Sequence, residues 1–174
     1  MTGRLVAGGL VTEEAVRQAL AEVMDPEIPT VSVVDLGIVH RVEVGEGRVR
    51  VELLPTFVGC PALDLIRRAV AERLESLAPV VEVEATFAEP WTSDRITLEG
   101  RRKLRDSGFA PPPPAAAGAG DRPLLLTIGM RPSANCPYCG SADTSMENPF
   151  GPTLCRAIFY CNACRQPFEQ FKAV

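Results

Sequence analysis

Histidine is nearly absent from this 174-residue chain, in which His40 stands alone. The sequence also lacks a serine–histidine–aspartate set, a phosphate-binding glycine loop and a dinucleotide-binding glycine motif. Nothing in it assembles a general acid and a general base, so we do not expect an enzyme. His40 alternates with Ile38 and Val42, which is typical of a half-buried strand residue rather than of a metal ligand.

Long apolar runs and an excess of positive charge are missing too. No stretch approaches the roughly 18 apolar residues of a membrane-spanning helix, and residues 1–11 have no signal-peptide core. The net charge of −4 argues against a nucleic-acid partner. The basic cluster at 101–105 has the character of a solvated helix face. We therefore expect a cytoplasmic protein with neither a membrane nor a nucleic-acid partner.

Cysteine, by contrast, is present in a telling pattern. Four of the six cysteines form the pairs Cys136-Pro-Tyr-Cys139 and Cys161-Asn-Ala-Cys164, with 21 residues between them. In a reducing compartment this spacing favours a tetrahedral metal site with four thiolate ligands, which suits zinc or iron. A structural zinc is favoured because the segment is too short for a large core. A rubredoxin-like Cys-Pro-Tyr-Cys-Gly turn keeps iron as the alternative.

The two other cysteines have weaker signals. Cys155 cannot be a fifth ligand of a tetrahedral site, so it is either a small buried residue or a spare thiolate. Cys60 precedes Pro61, and proline favours the first position of a helix. This predicts Cys60 at a helix N-cap, where the helix dipole lowers a thiol pKa. A core cysteine is the alternative interpretation.

The first half of the chain alternates helical and strand periodicities. A helix is predicted after the N-cap Thr12, a hairpin over 38–54, a helix from Pro61 to about Leu77, and a strand over 81–87. This α-β-β-α-β order implies a parallel crossover onto the third strand. The fold class is therefore α+β, a small three-stranded sheet with helices on one face, followed by a C-terminal zinc ribbon.

Composition divides the chain into three segments. We expect an α+β domain over 1–107, a Pro/Ala/Gly linker over 108–123 and a four-cysteine zinc-ribbon domain over 124–174. The linker predicts preferential proteolysis between the two domains. Trp91, the single tryptophan, follows the third strand and is interpreted as a docking anchor for a partner or as a cap on the core.

Several motifs carry a family resemblance. Asp25-Pro-Glu-Ile-Pro29, Val34-Asp-Leu-Gly-Ile-Val39 and Thr56-Phe-Val-Gly-Cys-Pro61 resemble the domain shared by SufT-type and cytosolic iron–sulfur assembly factors. Trp91-Thr-Ser-Asp94 and the tail from Phe150 to Lys172 are similar to the PaaD family. Members of that family are accessory subunits encoded with the phenylacetyl-CoA 1,2-epoxidase (ring-oxygenase) complex.

The resemblance implies an accessory role in maturing metal centres for aerobic phenylacetate degradation. The implied partners are the epoxidase subunits, namely the reductase with its iron–sulfur cluster or the di-iron oxygenase. The implied functional residues are Cys60 as the cluster-handling thiol, Asp35 and Thr56 as residues that tune or orient it, and Cys155 as a relay. An iron–sulfur cluster or iron would be bound transiently. The alternative is a non-catalytic structural or adaptor subunit of the oxygenase complex.

Overall fold

Two separate β-sheets organise the chain. The structure is a computed structural model that describes residues 11–112 and 134–172. It divides into one compact unit that ends at Trp91 and a second that begins at Thr92. No helix within the described ranges has the length and the apolar character that spanning a membrane requires.

The first helix of unit 1, α1, spans Glu13–Leu20. The Thr12 Oγ1 accepts a hydrogen bond from the Ala15 amide at 3.2 Å, which caps the helix as the sequence predicts. Glu13 and Glu14 lie in the first turn, where negative charge favours the helix dipole. The buried face of the helix then packs towards the core through Val16, Ala19 and Leu20.

The sheet of unit 1 has the strand order β1-β2-β3. Strands β1 (Val39–Gly45) and β2 (Arg48–Leu53) are antiparallel, and β2 pairs in parallel with β3 (Val80–Ala85). Gly47, with φ of 68°, closes the hairpin. Both the hairpin and the parallel third strand agree with the fold predicted from the sequence.

Helix α2, Leu63–Leu74, supplies the crossover between β2 and β3. Its buried face consists of Ile66, Val70 and Leu74. Alternate residues of β2 point into the same core, and they are Val49, Val51 and Leu53. The intervening β2 residues carry charge: Arg50 lies 2.8 Å from Glu84 on β3, and this bond lowers the pKa of the Glu84 carboxyl. One face of the sheet is therefore apolar, and the other is charged.

Boundaries of α2 and β3 differ from the prediction, and α2 ends at Leu74 rather than at about Leu77. The N-cap of α2 is Ala62 and not Cys60, because the Cys60 carbonyl first accepts a turn hydrogen bond from the Leu63 amide at 3.3 Å. Strand β3 ends at Ala85, where β2 also ends, so Phe87 lies beyond the ladder and is 56% exposed. The alternating sequence pattern extends to Phe87, but the partner strand β2 ends opposite Ala85.

Unit 2 contains a short 3₁₀ turn at Ser93–Arg95, helix α3 at Leu98–Asp106 and a four-stranded sheet. Its strands are β4 (Phe109–Ala110), β5 (Thr144–Asn148), β6 (Arg156–Cys161) and β7 (Pro167–Phe171), in the order β4-β7-β6-β5. Strand β4 is parallel to β7, and the other pairs are antiparallel. The buried core is small: Ala110, Ala134, Cys136, Ala157, Phe159, Cys161 and Phe168.

The boundary between the units also differs from the prediction, which placed residues up to 107 in the first domain and 108–123 in a linker. Helix α3 and strand β4 belong instead to the ribbon unit. Gly108 adopts φ of 85° and turns the chain so that Ala110, 1% exposed, enters the ribbon core beside β7. The part of the predicted linker from 113 to 123 lies outside the described residues.

Candidate metal centre and thiol site

Two tight turns present the paired cysteines. In the first, the Gly140 amide donates to the Cys136 carbonyl at 2.8 Å, and the Cys136 amide donates to the Ser141 carbonyl at 2.9 Å. These bonds fold the turn so that both sulfurs of the pair lie on the same side. The residue that follows Cys139 must then take a left-handed conformation, and Gly140 does so with φ of 75°.

The second turn repeats this geometry. The Arg165 amide donates to the Cys161 carbonyl at 2.8 Å, and the Cys161 amide donates to the Gln166 carbonyl at 3.0 Å. Arg165 occupies the position equivalent to Gly140 and is the one non-glycine residue of the described ranges with positive φ, at 61°. The fold therefore imposes on an arginine a conformation that glycine adopts at lower cost.

The four sulfurs converge on one point. The Sγ atoms of Cys136, Cys139, Cys161 and Cys164 all lie within 4.8 Å of one another. Two of the sulfur pairs, Cys136 with Cys164 and Cys139 with Cys161, are each separated by 3.6 Å. A zinc–sulfur bond of about 2.3 Å implies tetrahedral edges of about 3.8 Å. The sequence-predicted ligands are thus brought together in a set that fits a tetrahedral metal with no open coordination position.

The thiols of this cluster differ in acidity. The Cys164 amide donates to the Cys161 sulfur at 3.5 Å and lowers the pKa of Cys161 to about 7. Burial raises the pKa of Cys164 to about 12. One thiolate forms readily near neutrality, whereas a cation must displace the proton of the other. The pKa values differ because the close thiols hydrogen-bond one another and are unequally desolvated.

Cys155 lies away from the cluster. It precedes β6, six residues before Cys161, which corresponds to roughly 20 Å along an extended strand. Its Sγ is 3.1 Å from the Thr153 Oγ1, and its carbonyl accepts from the Lys172 amide at 2.8 Å. The structure therefore separates Cys155 from the four ligands, as the sequence interpretation of a non-ligand requires.

The topology of unit 1 gathers three loops at one edge of its sheet. The 54–62 segment leaves β2 at this edge, the 24–38 segment enters β1 there, and the 86–91 segment leaves β3 there. The Trp91 Nε1 donates to the Leu36 carbonyl at 3.0 Å and fastens the last of these loops to the second. The candidate functional residues of this unit, Asp35, Thr56 and Cys60, all lie on these loops.

Cys60 is half-buried in the loop after β2. Its neighbours Phe57 and Val58 are 41% and 79% exposed, so apolar surface adjoins the thiol. Thr56 is buried at the base of the same loop. This arrangement gives Cys60 access from solvent without placing it on a mobile chain end.

Asp35 is buried in the loop before β1. Its Oδ2 accepts hydrogen bonds from the Ser32 amide at 3.0 Å and from the Ser32 hydroxyl at 2.9 Å. The Asp35 amide in turn bonds the Ser32 hydroxyl at 3.1 Å. These contacts give Asp35 a clear role in holding its own loop at the shared edge.

Trp91 and Glu89 also lie at this edge. Trp91 is 3% exposed, so of its two interpretations the cap on the core is confirmed and the docking anchor is wrong. Glu89 carried no sequence signal, yet its Oε1 lies 3.4 Å from the Nδ1 of His40. Only the pairing of β3 with β2 brings this loop towards β1, and no local pattern reveals it.

Comparison with protein families divides the chain at the same two regions. Residues 13–85 match a family described as iron–sulfur cluster assembly protein. Residues 121–172 match a family described as PaaD zinc beta ribbon domain. The first match covers α1 through β3, and the second includes all four clustered cysteines.

The Escherichia coli and Porphyromonas gingivalis relatives agree with the family matches. An Escherichia coli protein provisionally named as a subunit of 1,2-phenylacetyl-CoA epoxidase is 35% identical over 158 residues, which cover 89% of each chain. A Porphyromonas gingivalis Fe-S protein maturation auxiliary factor is 40% identical over 55% of this chain and 92% of its own. A solved structure of a conserved hypothetical protein from Thermotoga maritima is 34% identical over 56% of this chain and 98% of its own, with a TM-score of 0.49.

Proposed function

Because the chain belongs to the PaaD family, with an iron–sulfur assembly domain ahead of a zinc ribbon, we propose that it is a maturation factor for the metal centres of a phenylacetyl-CoA epoxidase system. The observation that carries this proposal is the joint match over 89% of the chain to a protein named as an epoxidase subunit. An assembly domain fused to such a ribbon is suited to delivering iron or a cluster to one oxygenase system. In this role the chain is accessory and not catalytic.

The two thiol sites divide the work. The four ribbon sulfurs form a closed set, so we assign them a structural zinc that holds unit 2 together. A transfer site must leave coordination positions of the metal open. A metal bound by Cys60 would keep such positions, whereas the four ribbon sulfurs would fill all of them. Cys60 therefore handles the iron or the iron–sulfur cluster as cargo. Asp35 and Thr56 act as positioning residues for the loops around it.

The test replaces the thiol and follows the metal content of the clients. We expect Cys60→Ala to keep the ribbon metal but to lower the iron content of the co-expressed reductase or oxygenase, and with it epoxidase activity. Cys155→Ala is the matched control, since Cys155 is the other cysteine outside the cluster. Full iron occupancy with Cys60→Ala would refute the assignment, and a loss confined to Cys155→Ala would transfer it to Cys155.

A non-catalytic adaptor subunit is the second candidate, favoured by the name of the Escherichia coli relative as a subunit. A maturation factor leaves its client after delivery, whereas an adaptor remains in the complex. Size-exclusion chromatography of the co-expressed components separates the two. An adaptor would co-elute with the complex in stoichiometric amounts. The client proteins would also have a normal iron content when they are expressed without this chain.

A further inference from the structure

Unit 2 contains a cleft of about 760 Å³ beside the first metal-binding turn. Its walls come from α3, from Pro111 and Pro112, from the Cys136–Gly140 turn and from Gln170 on β7. The volume lies within the range of about 300–1,000 Å³ that is typical of ligand sites. Nothing in the proposed role of Cys60 uses this cleft, and it lies wholly within one structural unit.

Two arginines give the cleft its charge. Arg101 and Arg105 line it, and no acidic residue is found among its described lining residues. Among the described residues, Arg101 is held in place by the carbonyls of Pro112 and Ser93, the latter at 2.7 Å, and by no carboxylate. These two bonds use two of its five N–H donors, so three remain. Arg101 is thus oriented in advance, while no carboxylate within residues 11–112 and 134–172 pairs with its charge.

The adjacent Arg102 shows the contrast. It bonds Glu99 at 2.6 Å and Asp106 at 2.5 Å on the solvent side of the same helix. Its charge is therefore matched within α3, whereas the described part of the chain provides no ion pair for Arg101 or Arg105. Helix α3 therefore places the paired Arg102 outside the cleft, and it places Arg101 and Arg105 along the cleft.

The remaining lining indicates which anion fits. Phosphate sites usually add free backbone amides from a loop or a helix start. Here three lining residues are prolines without an N–H, and the Gly140 and Cys136 amides are already bonded within the turn. Two guanidinium groups between rigid proline surfaces suit carboxylate side chains spaced along an extended peptide.

We propose that this cleft binds an extended acidic segment of a partner protein. Arg101 and Arg105 would receive its carboxylates, and the proline surfaces would contact the intervening apolar atoms. The inference is independent of whether Cys60 handles iron, because the two sites share no residue. It assigns the ribbon unit a recognition role in addition to its metal.

Fluorescence polarisation with the full, metal-loaded chain tests the proposal. The probe is a fluorescein-labelled peptide of four Ala-Glu repeats, and the matched neutral probe has four Ala-Gln repeats. We expect the acidic probe to bind and the neutral one not to bind. Arg105→Gln should weaken binding about tenfold, as loss of a charge-assisted bond predicts, whereas Arg102→Gln should change it less than about twofold.

Several results would overturn the proposal. One is failure of the acidic probe to bind at low salt. Another is an equal loss of probe affinity with Arg105→Gln and with Arg102→Gln, which would indicate nonspecific electrostatic attraction. Inorganic phosphate or a ten-nucleotide thymidine strand would identify a phosphate ligand instead if it displaced the probe more effectively, per negative charge, than the unlabelled acidic peptide does. Arg105 is exposed, and unchanged metal content would verify that its variant is folded.

Discussion

The two units are held together by different means. Unit 1 buries aliphatic side chains between two helices and a sheet, and its cysteine lies on a surface loop. In unit 2, two of the seven buried core residues, Cys136 and Cys161, are themselves members of the sulfur cluster. A metal bound by this cluster would be part of the core of unit 2, whereas under the proposed function it is cargo in unit 1. Under that proposal, cysteine sulfur serves stability in a closed site and transfer in an open one.

Removal of one ribbon ligand should have the largest effect. We expect Cys139→Ser to lose the metal and to unfold unit 2 while unit 1 remains folded, because apolar burial alone is too small in unit 2. Metal analysis and amide dispersion in NMR spectra measure this. The fluorescence of Trp91, the only tryptophan, reports unit 1 and should not change. Cys155→Ser is the control, and retention of metal by Cys139→Ser would contradict the comparison.

A cavity in the aliphatic core should have the converse effect. Leu74→Ala removes a fully buried side chain of α2 and should lower the free energy of unfolding of unit 1 by about 2–5 kcal/mol. Leu65→Ala on the same helix, where the side chain is 56% exposed, should cost about 0.5 kcal/mol or less. Urea titration followed by Trp91 fluorescence distinguishes them. Loss of ribbon metal in Leu74→Ala would show that the units do not fold independently.

Gly108 tests where the ribbon unit begins. A Cβ at this position would lie 2.9 Å from the Tyr138 hydroxyl oxygen, and its φ of 85° disfavours other residues. Gly108→Ala should therefore destabilise unit 2 by about 1–3 kcal/mol. Adding Tyr138→Phe should recover part of that loss by removing the hydroxyl. If Gly108→Ala left the thermal stability of unit 2 unchanged, Gly108 would belong to the linker that the sequence predicts and not to unit 2.

The smallest effects concern the two metal-binding turns. Arg165→Gly should stabilise unit 2 by about 1 kcal/mol, because glycine tolerates the left-handed conformation. Gly140→Ala should destabilise it by a similar amount, since no atom lies within 4 Å of the added Cβ and only the backbone is strained. Thermal unfolding of the zinc-loaded protein measures both. Equal signs for the two changes would contradict the equivalence of the turns.

Local sequence patterns predicted most of unit 1 and the clustering of four cysteines in unit 2. The cap at Thr12, the hairpin and the Cys-x-x-Cys pairs depend on residues close together in sequence, so periodicity and spacing suffice for them. The burial of Trp91 and the assignment of β4 to the ribbon depend on contacts with Leu36 and with β7, which are distant in sequence. The N-cap expected at Cys60 failed because an intervening turn delays the helix.

Because the cysteines divide into four clustered and two separate residues, a thiol assay can measure whether the ribbon cluster holds its metal. Four sulfurs share one cluster, while Cys60 and Cys155 lie outside it. A chromogenic thiol reagent should modify at most two groups per metal-loaded chain, and all six once a chelator has withdrawn the ion. The difference counts intact ribbons directly. It also allows a dye or spin label to be directed to either outlying sulfur, through replacement of the other, while the bound metal itself serves as the protecting group.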